Sequence, residues 1–253
     1  MRLDVFLVEN KYYLSRSKAS QAIERGEIFV DGVKIIKPSF DIKDNYFPKI
    51  EKKATVEYVS LGGYKLEKAL KDFNFNVKGL TVADFGASTG GFTDCLIQNG
   101  AKKVYAIDLN DTLLDERLKQ DERVISLIKN VKDVKKEDFN EDISLITADL
   151  SFISEKIVLP VISSVLKENS FAIILIKPQF EIDGKQKFKN GIVKDKKIHK
   201  RVCEKIYNAS LENNLTPKKL TKINAEKGKN IEFLMLLEKF GKEITLNIED
   251  FIF

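Results

Sequence analysis

This chain of 253 residues has two cysteines and one histidine, and no apolar run near the ~20 residues a membrane span needs. Cys95 and Cys203 fall in separate helical patterns. They form neither a disulfide framework nor a metal site, so both read as buried thiols and no metal is expected. Asp4 and Glu9 interrupt the N-terminus, which has no signal-peptide pattern. The expected setting is a reducing cytoplasm. The longest apolar candidate, Phe171 to Ile176, reads as a buried strand, and the 43% hydrophobic content supports a real core.

Two further absences narrow the ligand. Asp84-Phe85-Gly86-Ala87-Ser88-Thr89-Gly90-Gly91-Phe92-Thr93 follows the strand-like Leu80-Thr81-Val82-Ala83 and precedes a helical pattern from Asp94. A triphosphate loop would need lysine after its last glycine, and Phe92 stands there. A dinucleotide fingerprint would need a glycine where Ser88 stands. What remains is a glycine turn that leaves N–H groups at a helix start, with Asp108 ending the next strand, Lys103 to Ile107. A carboxylate there can accept both hydroxyls of a ribose. A ribose binder that grips no phosphate fits S-adenosylmethionine; an ordinary tight turn with a solvated aspartate is the plain alternative.

Residues 1–58 form a small unit of their own. Leu3 to Val8 is a short amphipathic helix, Ser15 caps a second helix through Ala19, Ala22 and Ile23, and Gly26 stops it. Glu27 to Val30 and Val33 to Ile36 are strands joined at Asp31-Gly32, and Ala54 to Val59 reads as a last strand. The spaced elements Arg2-Leu3-Asp4, Ser15-Arg16-Ser17-Lys18-Ala19 and Gly26-x-Ile28-x-Val30-Asp31-Gly32 resemble the RNA-binding module named after ribosomal small-subunit protein four. The resemblance implies an RNA-gripping surface made by Arg2, Arg16, Lys18, Arg25 and Lys34.

After a connector at 59–61, residues 62–253 alternate helices with strands near 80–85, 103–107, 123–127, 143–148, 171–176, 218–223 and 232–237. Ser154 to Lys167 is a clear helix, and Leu66, Ala69, Leu70 and Phe73 share one helical face. The class is α/β: a parallel sheet covered on both faces, with ligands beyond the carboxyl ends of its strands. Net charge is only +5, but Lys177 to Lys205 carries ten Lys/Arg against four Asp/Glu, and Lys218 to Lys229 five lysines against one glutamate. Such clusters suit a phosphate-backbone partner, or are simply solvated loops.

Polar residues recur at the strand ends. Asp149 follows Ile146-Thr147-Ala148, Lys177 follows Ile174-Leu175-Ile176, Glu232 opens the last strand and Lys65 follows Gly62-Gly63-Tyr64. A lysine directly after so apolar a strand is costly unless it pairs with a carboxylate such as Asp149 or Glu232. Methylating a ribose hydroxyl requires removal of a tightly held proton. A lysine weakened as an acid-holder by burial or a second nearby cation can take it. Lys65, Asp149, Lys177 and Glu232 supply such a set.

These residues, with Lys65-Leu66-Glu67-Lys68-Ala69-Leu70, Ala148-Asp149-Leu150-Ser151-Phe152-Ile153-Ser154, Lys177-Pro178-Gln179-Phe180-Glu181 and Asn230-Ile231-Glu232-Phe233, resemble the TlyA family of ribosomal RNA 2′-O-methyltransferases, relatives of the FtsJ heat-shock methyltransferases. The resemblance implies a Rossmann-like class I S-adenosylmethionine-dependent methyltransferase, with a seven-stranded, mostly parallel sheet behind the small α+β RNA-binding unit. It also implies methyl transfer to a cytidine ribose in ribosomal RNA or a ribosomal subunit. Lys177 would be the general base, with Lys65, Asp149 and Glu232 orienting it and the hydroxyl. Gly86, Ser88 and Gly90 would hold the methionine part, Asp108 the ribose, and Asn130 with Val131 the adenine edge; Asp84, Ala87, Thr89, Gly91 and Asp149 complete the donor's surroundings.

Two departures from the family stand out: Asp108-Leu109-Asn110 where Asp-Val-Gly is common, and a lysine-rich segment before Glu232. The short N-terminus points to large-subunit 23S RNA, with 16S RNA open. The family also carries the name haemolysin, yet no segment could span or line a bilayer. An assembly factor that binds RNA without turnover is the other alternative, and a membrane-active haemolysin the third. The histidine, His199, lies in the basic helical start Lys196 to Arg201 and is expected to face solvent or RNA.

Overall fold

The structure is a computed structural model that describes residues 1–253 apart from Arg25, 44–45, 53–57, 183–187, 224–227, Thr245, Phe253 and the side chain of Lys189. Arg25 and most of the strand expected at Ala54 to Val59 therefore lie outside the described residues. The chain divides into two compact units, Met1–Glu57 and Tyr58–Phe253.

In the first unit, helices α1 (Leu3–Glu9) and α2 (Arg16–Glu24) pack on a three-stranded antiparallel sheet of β1 (Ile28–Val30), β2 (Val33–Ile35) and β3 (Ile50–Lys52), in the order β2-β1-β3. Ser15 caps α2 as expected: its Oγ accepts from the Lys18 N–H at 3.3 Å. Asp31 and Gly32 both take positive φ, 50° and 78°, the backbone a tight two-residue hairpin requires. Leu3, Leu7, Ala19, Ala22, Ile23 and Ile28 are fully buried between the layers.

The second unit opens with α3 (Leu61–Phe73), whose Leu66, Ala69, Leu70 and Phe73 are all buried, as the helical spacing requires. It continues through β4 (Thr81–Phe85), α4 (Gly91–Gln98), β5 (Lys103–Asp108), α5 (Glu116–Lys119), β6 (Val124–Ile128), β7 (Ile143–Ala148), α6 (Glu155–Val165), β8 (Leu166–Ile176), α7 (Pro178–Glu181), α8 (Lys196–Glu212), β9 (Leu215–Ile223), β10 (Glu232–Lys239) and α9 (Glu249–Ile252). Seven strands form one sheet in the order β6-β5-β4-β7-β8-β10-β9. The first five pair in parallel, while β10 runs antiparallel between β8 and β9. Ala83, Ile146, Ile174 and Met235 are buried on one face, and Val82, Leu145, Ile173 and Leu234 on the other, which explains why these strands read as unbroken apolar runs.

Boundaries move at the α6–β8 junction, and β9, expected from 218, starts at Leu215. The expected helix at Ser154 to Lys167 ends at Val165, because Leu166 pairs with Ile143 and already belongs to the sheet. Phe171 then pairs with Leu145, so 167–170 bulge out, with Asn169 at a positive φ of 54°. His199 is a correction: it is 1% exposed, on the inner face of α8, with Nε2 3.0 Å from the Val193 carbonyl and its ring edge-on to Phe233. The flanking charges made the segment look wet, but the helical period turns Ile198, His199, Val202 and Cys203 inward. Cys95 and Cys203 are both buried free thiols.

Candidate active site

The glycine-rich turn follows β4 because no Cβ fits there. At Gly86 (φ +79°) a Cβ would stand 2.8 Å from the Asp149 carbonyl oxygen, and at Gly90 (φ +93°) 2.2 Å from Leu118 Cδ1. Asp84 is fully buried beneath the turn, where its carboxylate accepts from Thr93 Oγ1 (2.6 Å) and Thr147 Oγ1 (2.7 Å). It fixes the turn from below. Burial pushes its pKa up to about 6, against the pull of the two hydroxyls.

Asp108, at the end of β5, accepts from the Ser88 N–H at 2.8 Å and the Leu109 N–H at 2.7 Å. The N–H groups of Gly86, Ala87, Ser88 and Gly90 are all spent within this corner, on Ile107, Asp108 and Ala87. The turn expected to offer bare N–H groups is thus closed on itself at these residues, and what it presents is carboxylate lone pairs and backbone free of Cβ atoms. Asn130 follows β6 beside Asp108, whose carbonyl accepts from Lys129 N–H at 2.9 Å; the Asn130 side chain caps the turn at Val131–Asp133, and Val131 packs into the core. Ala87, Ser88, Asp108, Asn110, Leu114 and Ser126 line a small cavity here. A glycine cradle, a carboxylate at the next strand end and an asparagine one strand further fit the methionine, ribose and adenine parts of a sulfonium nucleoside.

Beside this corner three strand-end charges and Lys65 of α3 meet as two pairs. Lys177 Nζ stands 2.6 Å from Asp149 Oδ1 and donates to Ser151 Oγ at 2.9 Å. The Asp149 contact is one of opposite charges without hydrogen-bond angles, so Oδ1 stays formally without a donor. Lys65 Nζ donates to Glu232 Oε2 at 2.6 Å. Register joins the pairs: Phe233 pairs with Ile176, which brings Glu232 and Lys177 to the same end of the antiparallel β8–β10 ladder. Gly62, one turn before Lys65, comes close enough that its Cβ would lie 3.8 Å from Asp149 Oδ2. Lys177 is buried, 8% exposed.

Three residues of this site carried no role in the sequence reading. Ser151 holds Lys177. Phe152 is 90% exposed, at a positive φ of 66° unusual for an aromatic, and lies against Phe180 with centroids 5.0 Å apart. Glu155 is buried at the head of α6. An aromatic in a loop directly after a strand-end carboxylate was the one available signal, and only for Phe152.

In the first unit, Asp4 is 1% exposed and gathers two of the expected RNA-binding arginines: Arg2 donates to both its oxygens at 2.9 Å, and Arg16 Nε to Oδ2 at 2.9 Å. The Arg2 hydrogen bonds, with Arg16 assisting, hold the Asp4 carboxyl well below the usual range. Lys18 is exposed at the start of α2, and Lys34 projects from β2 across Gly26. Among the described residues no cluster of His, Cys, Asp and Glu could hold a metal, and no helix is long and apolar enough to cross a membrane.

The strand order, the glycine turn after β4 and the carboxylate ending β5 define a Rossmann-like methyltransferase domain. The family model of FtsJ-like methyltransferases matches residues 58–240, and that of the S4 domain residues 1–46. Hemolysin A of Brachyspira hyodysenteriae is 42% identical over 240 residues, covering 92% of this chain and 98% of that protein. The 23S rRNA (cytidine-2′-O)-methyltransferase TlyA of Campylobacter jejuni is 35% identical over 78% of this chain and 83% of its own length. The 16S/23S rRNA (cytidine-2′-O)-methyltransferase TlyA of Mycobacterium tuberculosis is 34% identical over 79% and 75%. A solved structure, a putative hemolysin from Lactococcus lactis, superposes with a TM-score of 0.73 at 41% identity, over 78% of this chain and 98% of that one. The chain belongs to the TlyA family of FtsJ-like methyltransferases and carries an S4 domain.

Proposed function

We propose that the protein methylates the 2′-oxygen of a cytidine ribose in ribosomal RNA, that of the large subunit foremost, with Lys177 as general base. The observation that carries this is the pair of lysine–carboxylate contacts, Lys177–Asp149 and Lys65–Glu232, set beside the glycine turn. The donor is S-adenosylmethionine, which supplies a methyl group already activated by its sulfonium. Gly86, Ala87, Ser88, Thr89, Gly90 and Gly91 cradle it, Asp84 sets the turn from beneath, Asp108 takes the ribose, and Asn130 with Val131 the adenine edge.

What this chain must add is alignment and a destination for one proton. Lys177 in its free-base form takes the 2′-hydroxyl proton while Asp149 and Ser151 fix its head. Lys65, held by Glu232, orients the hydroxyl. Phe152 and Phe180 offer an aromatic face on which an unstacked base can rest, worth about 1–3 kcal/mol per base. The S4 domain supplies the phosphate contacts through Arg2, Arg16, Lys18, Arg25 and Lys34. Large-subunit RNA is favoured because 23S RNA is common to both TlyA names.

Labelled methyl transfer to purified ribosomal subunits, with ribose methylation mapped in cells with and without the gene, tests this. Lys177→Ala is expected to bind the donor normally and lose transfer by about 10²–10⁴-fold. Wild-type transfer by that variant would remove Lys177 as the base. Absence of any gene-dependent ribose methylation would remove the activity.

A further inference from the structure

Glu155 is the first residue of α6, is 1% exposed, and has no part in the reaction as drawn above. Its neighbour Glu181, on α7, is 2% exposed. Two carboxyl groups this deep cannot both be charged cheaply. Their hydrogen bonds differ in a way that says which one holds the proton. Glu181 Oε1 accepts from the Glu155 backbone N–H at 2.7 Å and its Oε2 from the Ser154 hydroxyl at 2.5 Å. It therefore sits on the N-terminus of the eleven-residue α6, where a negative charge is favoured. Glu155 Oε2 is buried without any hydrogen-bond partner.

The groups that act on Glu155 come from several elements. Glu181 faces it from α7, Asp149 from the end of β7, and Lys177 from the end of β8. Beyond them, Lys205 of α8 donates to the Glu181 carbonyl at 2.8 Å, and Arg201 lines a cleft with Glu181 and Lys205. Burial first, then Glu181 and Asp149, push the Glu155 carboxyl well up; Lys177 opposes them less strongly.

We propose that Glu155 is kept as a neutral carboxylic acid and serves as a positioning residue for the Lys177–Asp149 pair, its hydroxyl a donor for the Asp149 oxygen that lacks one. The inference rests on the reading of Lys177 as base. An ionised Glu155 would put a second carboxylate, after Asp149, within electrostatic reach of the Lys177 head. It would also compete with Asp149 for that head. A proton kept on Glu155 leaves Asp149 as the ion-pair partner of Lys177 and closes the 149–155 loop after β7 on itself.

The test uses the full chain. Glu155→Gln keeps a neutral group of the same shape, whereas Glu155→Ala removes it. Glu155→Gln is expected to retain transfer within about threefold of wild type and to lose the alkaline decline in rate that ionisation of Glu155 causes. Glu155→Ala is expected to lower kcat by about 10–100-fold with little change in KM for the donor. Infrared difference spectra should show a protonated-carboxyl band at neutral pH in the wild type that disappears in Glu155→Gln and survives in Lys177→Ala. A folded Glu155→Gln as impaired as Glu155→Ala, or no protonated-carboxyl band, would overturn the inference. The two readings separate cleanly: an active Lys177→Ala that keeps the band defeats the base but not the acid, and an inactive Lys177→Ala in a protein without the band does the reverse.

Discussion

Lys65 and Glu232 lie 167 positions apart in the chain, yet their charged ends meet at 2.6 Å. The contact links α3, which precedes the sheet, to β10, which fills the gap between β8 and β9. Glu232→Gln keeps the shape and removes the charge. Its expected effect is a loss of methyl transfer of about 10–100-fold, with donor affinity unchanged in calorimetry. Unaltered kcat in this variant would mean that the pair only braces the helix against the sheet.

Asp84 makes stability depend on pH in a predictable direction. Its pKa is raised to about 6 in the folded protein, so its contribution is fully present below the unfolded value near 4 and is lost as pH rises through 6. Two units correspond to about 3 kcal/mol. Asp84→Asn should therefore be less stable than wild type, relative to its own value at pH 7, when both are measured at pH 4. Urea unfolding of both proteins at the two pH values checks this; parallel curves would show that Asp84 does not titrate in that window.

The acid side should be governed in part by His199. Burial lowers its pKa, so folding favours the neutral ring. That contribution is present above the unfolded value near 6.5 and is lost as pH falls through the lower folded value. Replacing His199 by Gln should flatten the acid limb of the stability profile while leaving methyl transfer intact. Loss of transfer with an unchanged fold would give this histidine the functional part that its burial denies it.

In the S4 domain, Asp4 is the anchor on which Arg2 and Arg16 both depend. Asp4→Ala should destabilise that domain by about 1–3 kcal/mol, read by hydrogen exchange in α1 and α2. Arg16→Ala and Lys18→Ala should each weaken RNA binding and lower its salt slope by about 1. A salt slope that stays constant in both would place RNA elsewhere.

The middle of the sheet was readable because its central strands are buried on both faces, so runs such as Ile143–Ala148 and Phe171–Ile176 announce themselves without any periodicity. The meeting of the charges was readable because three of them stand directly at the ends of those runs: Asp149, Lys177 and Glu232 each interrupt or open an apolar stretch. The insertion of β10 between β8 and β9 was not readable, since strand order depends on contacts between faces that look alike in composition. Nor was the inward turn of Asp108 onto Ser88, which is decided by one loop's φ values. His199 and Glu155 misled or escaped for the same reason. Each sits among charged neighbours that are wet, while helical geometry carries that one side chain inside.

Phe152 holds a left-handed backbone with its ring in water. The backbone conformation costs the folded state about 1–2 kcal/mol for a residue with a Cβ. Glycine at this position would relieve that strain. The protein should therefore become harder to unfold at the very substitution that strips the aromatic surface from the loop proposed to meet RNA, which makes position 152 a place where durability and the proposed substrate capture trade against each other.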